Sequence, residues 1–212
     1  MILAENFKIK ELIIAGWTGR DEAALRKHIQ ELEAVGVKPP KSTPIFYRVS
    51  ASLFTHAAEI QVSGSDTSGE VEFVLIKTKN DLRIAVGSDH TDRKAETIGV
   101  TLSKQLCAKP VSVESWAYEE VRPHWNRLVL RSFILENNRR VLYQEGSVDA
   151  MRSPEDLLGR RPLNSNEAMF CGTFAAKGGI RPSTGFEMEL EDPVLHRRLT
   201  HQYAIHVLPV EG

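Results

Sequence analysis

The segment Glu70 to Lys77, reading Glu-Val-Glu-Phe-Val-Leu-Ile-Lys, constrains this chain more than any other. At a strand period of two, Val71, Phe73 and Leu75 leave one face, and Glu70, Glu72, Val74 and Ile76 the other. A strand apolar on both faces belongs in the middle of a sheet, covered on both sides. Two carboxylates on such a strand enter a region where an ionised group needs a partner. They lie roughly 7 Å apart along a strand rising about 3.3 Å per residue, and can converge on one cation. The plainer alternative is the wet face of an amphipathic strand. Glu187, Glu189 and Glu191 alternate with Phe186, Met188 and Leu190 in that plain way, and that strand is expected to carry no function.

Asn80-Asp81 reads as a hairpin turn, with Leu82 to Val86 running back from it. The return delivers Gly87-Ser88-Asp89-His90-Thr91-Asp92-Arg93 to one end of the Glu70 strand. Asp89 can then join Glu70 and Glu72 in a hard oxygen site, which selects Mg²⁺ or Mn²⁺, or Ca²⁺, over softer metals. An Asx turn in a solvated loop is the other reading of Asp89.

Elsewhere strands dominate. Leu12 to Ala15, Pro44 to Val49, Ala58 to Val62, Val111 to Trp116, Val129 to Leu135, Val141 to Gln144, Ala168 to Gly172, Gly185 to Leu190 and Tyr203 to Leu208 are strand-like. Gly64 to Gly69 is a turn, and Asn137-Asn138 a second hairpin turn. A helix is expected from an Asp21 N-cap to Gly36, with Leu25, Ile29, Leu32 and Val35 at helical spacing. Ala95 to Gln105 has helical character, and Ser153-Pro154 opens another short helix. No regular βαβ alternation is present, so the fold class is α+β with a large mixed sheet system.

With 212 residues, 42% hydrophobic and 26% charged, the chain can bury a substantial core as one unit. The net charge of −1 and the scattered Arg pairs argue against a nucleic-acid partner. Two cysteines far apart, Cys107 and Cys171, form neither a zinc motif nor a disulfide framework. No apolar run is long enough to span a bilayer, and Met1 to Lys10 lacks a signal-peptide core. A cytoplasmic protein without membrane partners is the expectation.

Other candidates are weaker singly. His28 and Glu31 are neighbours on the first helix, where a carboxylate can orient an imidazole as a general base; an ordinary exposed pair is the alternative. Lys109 precedes Pro110. Gly172-Thr173 and Gly178-Gly179 permit either close backbone approach to a ligand or simply tight turns.

Taken in order, these pieces resemble the fumarylacetoacetate hydrolase superfamily. Leu12 to Gly16 resembles the family's opening strand, and His28-Ile29-Gln30-Glu31 its His-x-x-Glu pair. Pro44-Ile45-Phe46-Tyr47-Arg48 is similar to its Pro-led strand, and Glu70-Val71-Glu72 to its Glu-x-Glu metal strand. Ser88 to Arg93 resembles the segment carrying its third metal carboxylate at Asp89, Lys109 its lysine before a proline, and Gly172 to Gly179 its Gly-Thr-Pro loop. Phe174 stands where that loop has proline, Arg48 where lysine is usual, and Trp17-Thr18-Gly19-Arg20 where an Asn-Tyr motif is usual. The chain therefore looks like a divergent branch.

The resemblance implies a mixed β-sandwich roll with a few short helices, as one domain over residues 1–212. Within it, residues 1–45 form an N-terminal strand and lid helix, and residues 46–212 the β-roll core. It implies a homodimer and a small acidic substrate. Glu70, Glu72 and Asp89 would hold Mg²⁺ or Mn²⁺. His28, oriented by Glu31, and Lys109 would be catalytic; Arg93, Gln144, Gly172 and Thr173 would bind substrate. The implied activity is a hydrolase or lyase on a 2-oxo or diketo acid, cleaving a C–C bond or decarboxylating through a metal-bound enolate. A hydratase or tautomerase, or a non-catalytic 2-oxo-acid-binding protein, are the alternatives.

Overall fold

The computed structural model describes residues 2–3, 7–34 and 39–211, with the side chains of 2, 3, 24, 28 and 31–34 not described. In chain order the elements are β1 (Ile2–Leu3), β2 (Glu11–Gly16), α1 (Glu22–Ala34), β3 (Ile45–Val49), β4 (Phe54–Thr55), β5 (Glu59–Ser63), β6 (Thr67–Ser68), β7 (Val71–Lys77), β8 (Leu82–Ser88) and β9 (Thr91–Asp92). Then follow α2 (Arg93–Glu96), α3 (Val100–Gln105), β10 (Lys109–Pro110), β11 (Glu114–Ala117), α4 (Tyr118–Val121), β12 (Val129–Glu136), β13 (Arg139–Ser147), α5 (Pro154–Arg160), β14 (Glu167–Phe170), β15 (Gly185–Asp192) and β16 (Arg197–Leu208).

Two sheets carry the fold. One has seven strands in the order β1-β11-β8-β7-β14-β2-β3, the other five in the order β13-β12-β15-β16-β5. Each is mixed, because β14 runs parallel to β2 and β16 parallel to β5. The architecture is the expected α+β sandwich roll with short helices.

β7 lies at the centre of the larger sheet, as its sequence requires. Val71, Phe73 and Leu75 enter the main core with Leu130, Tyr143, Met188 and Leu190 from the second sheet. Val74 and Ile76 enter a smaller core on the other face, with Leu12, Ile14, Val49 and Phe170. All five apolar side chains of β7 are fully buried, each stabilising the fold by about 1.5–3 kcal/mol relative to exposure.

Several local expectations need correction. Residues 95–105 do not form one helix. Asp92 caps α2 by accepting the Ala95 amide at 2.8 Å, and Gly99, extended at φ 177°, separates α2 from α3. The expected strand 111–116 is divided, because Val111 and Ser112 bond elsewhere. Val111 donates to Thr55 at 2.8 Å, while the Ser112 hydroxyl accepts from Val86 and donates to Glu114. The 64–69 turn contains β6, which pairs with β9. α4 and the 3₁₀ turns after it are additional to the expected elements. The N-cap of α1 is as expected, Asp21 accepting from Ala23 at 2.9 Å, whereas Val35 and Gly36 lie outside the described residues.

Candidate metal centre

The β7–β8 hairpin register assembles the site. Val71 pairs with Ser88 and Glu72 with Gly87. The ladder continues one step further, Asp89 donating its amide to Glu70 at 3.0 Å. Glu70 and Asp89 are therefore direct cross-strand partners on the face that also carries Glu72. Gly87, between them, must lack a side chain: a Cβ there would stand 2.7 Å from Phe170 and Val74. On the other flank Val74 pairs with Phe170, so the same register brings Gly172 opposite Glu72. The Gly172 amide donates to Glu72 Oε2 at 2.5 Å.

Oxygen atoms of Glu70, Glu72 and Asp89 all lie within 4.8 Å of one another. Like charges this close across a sheet destabilise it unless they are answered. Lys104 of α3 donates to Asp89 Oδ2 in a short hydrogen bond and lies 3.7 Å from Glu70 Oε2. Arg93 reaches Glu70 at 3.0 Å and is braced by Glu96 at 3.1 Å and Ser68 at 2.7 Å.

Lys109, fully buried, lies 3.3 Å from Asp89 Oδ1. Its ammonium donates instead to the carbonyls of His90 at 2.7 Å, Cys107 at 2.9 Å and Lys104. Three acceptors require three donors, which only the charged form supplies, although burial pulls this lysine below its ordinary pKa, with Asp89 opposing. Asp89 Oδ1 is consequently left buried without a well-aligned hydrogen-bond donor, facing the Lys109 ammonium as a charge at 3.3 Å. Buried oxygens of that kind call for an explanation, an ion being one.

Burial also works against Asp89, but Lys104 and Lys109 outweigh it and hold the carboxyl below its usual range. Glu72 goes the other way: burial, then the Asp89 charge, push it well above the usual range against Lys104, with Glu70 adding to the rise and the Gly172 amide opposing it. The same buried cluster thus pulls two of its acids in opposite directions, Asp89 toward its ionised form and Glu72 toward its protonated one. The donor set fits a hard divalent cation: three convergent carboxylates, one with an orphaned buried oxygen.

The other expected site residues fall into three groups. Gly172 and Thr173 border the triad. Gly172 has φ +100°, and a Cβ there would meet Thr18 Oγ1 at 1.8 Å; Thr173 donates to the Val71 carbonyl at 2.7 Å. Gln144 lies behind them, its four hydrogen bonds going to Val71 (3.0 Å), Ser132 (2.9 Å), Thr173 (2.8 Å) and Phe174 (2.6 Å). His28 and Glu31 belong to α1, but their side chains lie outside the described residues.

Three residues enter that sequence reasoning did not single out. Lys104 is one. Tyr47, on β3 opposite Ile14, is half-buried; burial raises its phenol pKa while nearby Lys104 opposes, and Glu96 and Asp89 add to the rise. The Trp17 indole hydrogen-bonds that phenol, and Trp17 itself sits at φ +57°, an uncommon conformation for a bulky residue and one found at functional sites. Tyr47 was legible only as part of a strand motif.

Residues 15–203 match the family described as "Protein of unknown function (DUF2848)". The chain belongs to that family. No curated protein matches it in sequence. Among solved structures it is similar to 2-keto-3-deoxy-D-arabinonate dehydratase complexed with magnesium and 2,5-dioxopentanoate, with TM-score 0.68 and 14% identity over 97% of this chain and 79% of that one. It is also similar to 2-hydroxyhepta-2,4-diene-1,7-dioate isomerase from Mycobacterium marinum, with TM-score 0.64 and 14% identity over 97% and 77%. A protein from Yersinia pestis CO92 described as of the fumarylacetoacetate hydrolase family gives TM-score 0.64 and 13% identity over 94% of each chain. The DUF2848 chain therefore has the fold of the fumarylacetoacetate hydrolase superfamily. No helix among the described residues is long and apolar enough to cross a membrane.

Proposed function

We propose that this DUF2848 protein is a divalent-metal-dependent hydrolase or lyase acting on a small 2-oxo or diketo acid. The observation that carries the reading is the convergence of Glu70, Glu72 and Asp89, with Asp89 Oδ1 buried and lacking a well-aligned donor. Glu70, Glu72 and Asp89 would hold Mg²⁺ or Mn²⁺. A bound divalent cation supplies Lewis-acid polarisation of a keto oxygen beside a carboxylate.

The chain's own residues do the rest. The Gly172 amide fixes Glu72 and Arg93 fixes Glu70, so both ligands are held in place before substrate arrives. Lys104 offers a positive charge to an acidic substrate from the α3 side. Tyr47, aligned by Trp17, presents a hydroxyl near that ammonium and can exchange a proton at its Oη. His28, with Glu31, would serve as base from the lid helix α1. Gln144 would act by positioning the Thr173 loop. The likeness of the fold to a magnesium-bound dehydratase of a keto acid supports a lyase.

A second reading, a tautomerase or isomerase on the same scaffold, is favoured by the likeness to a dienedioate isomerase. Incubation with a panel of 2-oxo and diketo acids, with and without Mg²⁺, and analysis by mass spectrometry separates the two. Two smaller acids, or loss of CO₂ or water, supports the hydrolase or lyase; a product of unchanged mass supports the isomerase. Binding of these acids with no conversion of any would leave a ligand-binding protein and contradict both.

A further inference from the structure

Lys104 is at odds with a simple metal site. It is nearly buried, and its ammonium is held against two of the oxygens that would ligate the cation, Asp89 Oδ2 and Glu70 Oε2. Arg93 and Lys109 press on the same pair of carboxylates from other sides, at 3.0 and 3.3 Å. Three carboxylates of the centre thus face three cationic side chains, with the partly exposed Glu96 also on Arg93, so most of the acids' charge is already answered. A divalent cation added to such a buried cluster leaves positive charge unanswered, which is unfavourable where the dielectric is low. An anion bound with it restores the balance.

The three cations differ in how firmly they are tied. Lys109 is fixed by three backbone carbonyls. Arg93 is braced by Ser68 and Glu96 as well as Glu70. Among the described residues, the Lys104 ammonium has one hydrogen-bond partner, Asp89. A flexible lysine whose sole hydrogen bond is to a ligand carboxylate is the cation that can yield.

We propose that Lys104 is a resident counter-cation of the metal centre, making metal loading conditional on an anionic co-ligand of the 2-oxo-acid or oxalate type. The inference rests on the metal reading above. Without the anion, Lys104 occupies Asp89 and Mn²⁺ binds weakly. With it, Lys104 transfers from Asp89 to the anion's carboxylate, and metal and anion bind as a cooperative pair. By linkage each must tighten the other by the same factor.

The test is Mn²⁺ titration of the full chain by calorimetry and by electron paramagnetic resonance of free Mn²⁺, with and without oxalate, corrected for the Mn²⁺–oxalate complex. Wild type is compared with Lys104→Met and Lys104→Gln. Oxalate is expected to tighten Mn²⁺ about tenfold or more in wild type, within the usual range of coupling between sites. Lys104→Met is expected to bind Mn²⁺ alone about tenfold more tightly and to lose most of the coupling. Coupling that persists undiminished in Lys104→Met would reflect chelation only and would overturn the proposal. So would equal Mn²⁺ affinity in wild type and variants without oxalate, although the metal centre would stand. No Mn²⁺ binding to wild type under either condition would instead overturn the metal reading itself. If circular dichroism shows both variants unfolded, the wild-type arms decide: independent binding of Mn²⁺ and oxalate contradicts the proposal.

Discussion

Glu70 and Asp89 face each other across the β7–β8 ladder, joined by the Asp89 amide at 3.0 Å, and their side chains leave the same face. A sheet places two acids in direct register only at some expense. Here the pair is answered by Arg93, Lys104 and Lys109, none of them more than partly exposed. Replacing Asp89 with Ala removes the nearest countercharge of two buried ammonium groups, Lys104 and Lys109. A loss of about 3–5 kcal/mol is expected, the usual result of breaking a buried ion pair from one side. Urea unfolding of Asp89→Ala against wild type measures it; a loss below about 1 kcal/mol would show the pairing to be weak.

Glu72→Gln should behave in the opposite way. The amide oxygen can still accept from Gly172, and the like-charge contact with Asp89 and Glu70 disappears. Without metal the variant should be at least as stable as wild type, with an equal or higher urea midpoint at pH 8, where wild-type Glu72 is under the greatest pressure to ionise. Metal-induced stabilisation should be lost. That combination marks a ligand kept for function rather than for folding. A large loss of metal-free stability in Glu72→Gln would contradict it.

Gly172→Ala tests the close approach at the site. The new Cβ must clear Thr18 Oγ1 and adopt φ +100°, at about 1–3 kcal/mol for the backbone conformation alone. The Gly172 amide should be displaced from Glu72, reducing metal-dependent stabilisation as well as stability. Adding Thr18→Ala should recover part of the steric loss but not the backbone part, so partial rescue in thermal melts is expected. Full rescue would show that the positive φ carries no penalty.

His90 gives a pH dependence with a definite sign. It is fully buried between the Tyr203 hydroxyl at 3.0 Å and Thr67 at 2.9 Å. Burial first, then Lys109 and Arg93, push its pKa down to about 3 from the ordinary histidine value of 6.5, with Asp89 opposing. Between those values the unfolded chain binds the proton and the folded chain does not. Stability therefore falls as pH drops below about 6.5, by up to about 1.4 kcal/mol per pH unit, and the loss is complete near pH 3. In His90→Gln this component disappears. The difference in stability between wild type and variant, followed from pH 7 to pH 5 by urea unfolding, should shrink as pH falls. A difference constant over that range would show that His90 titrates normally.

How far the sequence reveals this arrangement depends on which physical signal each residue leaves. The two-faced apolar pattern of Val71 to Ile76 is enough to place β7 at the sheet centre, because no other position covers both faces. The register is not the one an Asn80-Asp81 loop would set, which would put Asp89 opposite Glu72; Thr78 bonds Asp81 across a turn centred on Lys79-Asn80, and that brings Asp89 opposite Glu70. Lys104 leaves the contrary signal. Leu102 on α3 and Leu106 just past its end are 44% and 52% exposed, while Ser103 and Lys104 are buried. A helix whose polar side faces inward is misread by any rule that sends apolar residues to the core. The diversion of Ser112 arises from its hydrogen bonds to Val86 on β8, which periodicity within one segment does not register. Gln144 reads as the end of an ordinary strand, yet its four hydrogen bonds tie β7, β12 and the Thr173 loop together. The plain reading of Glu187, Glu189 and Glu191 needs one amendment, since Glu189 is buried beneath Arg131 at 2.9 Å.

The most direct test of the metal centre is a thermal melt of wild type and of a Glu70→Ala/Glu72→Ala double variant, each with Mg²⁺ or Mn²⁺ in the presence of oxalate. The expected result is a metal-dependent rise in the wild-type melting temperature that grows with metal concentration, as binding to the folded state requires, and that vanishes in the double variant. No metal-dependent rise in wild type, or the same rise in both proteins, would contradict a metal centre at Glu70, Glu72 and Asp89.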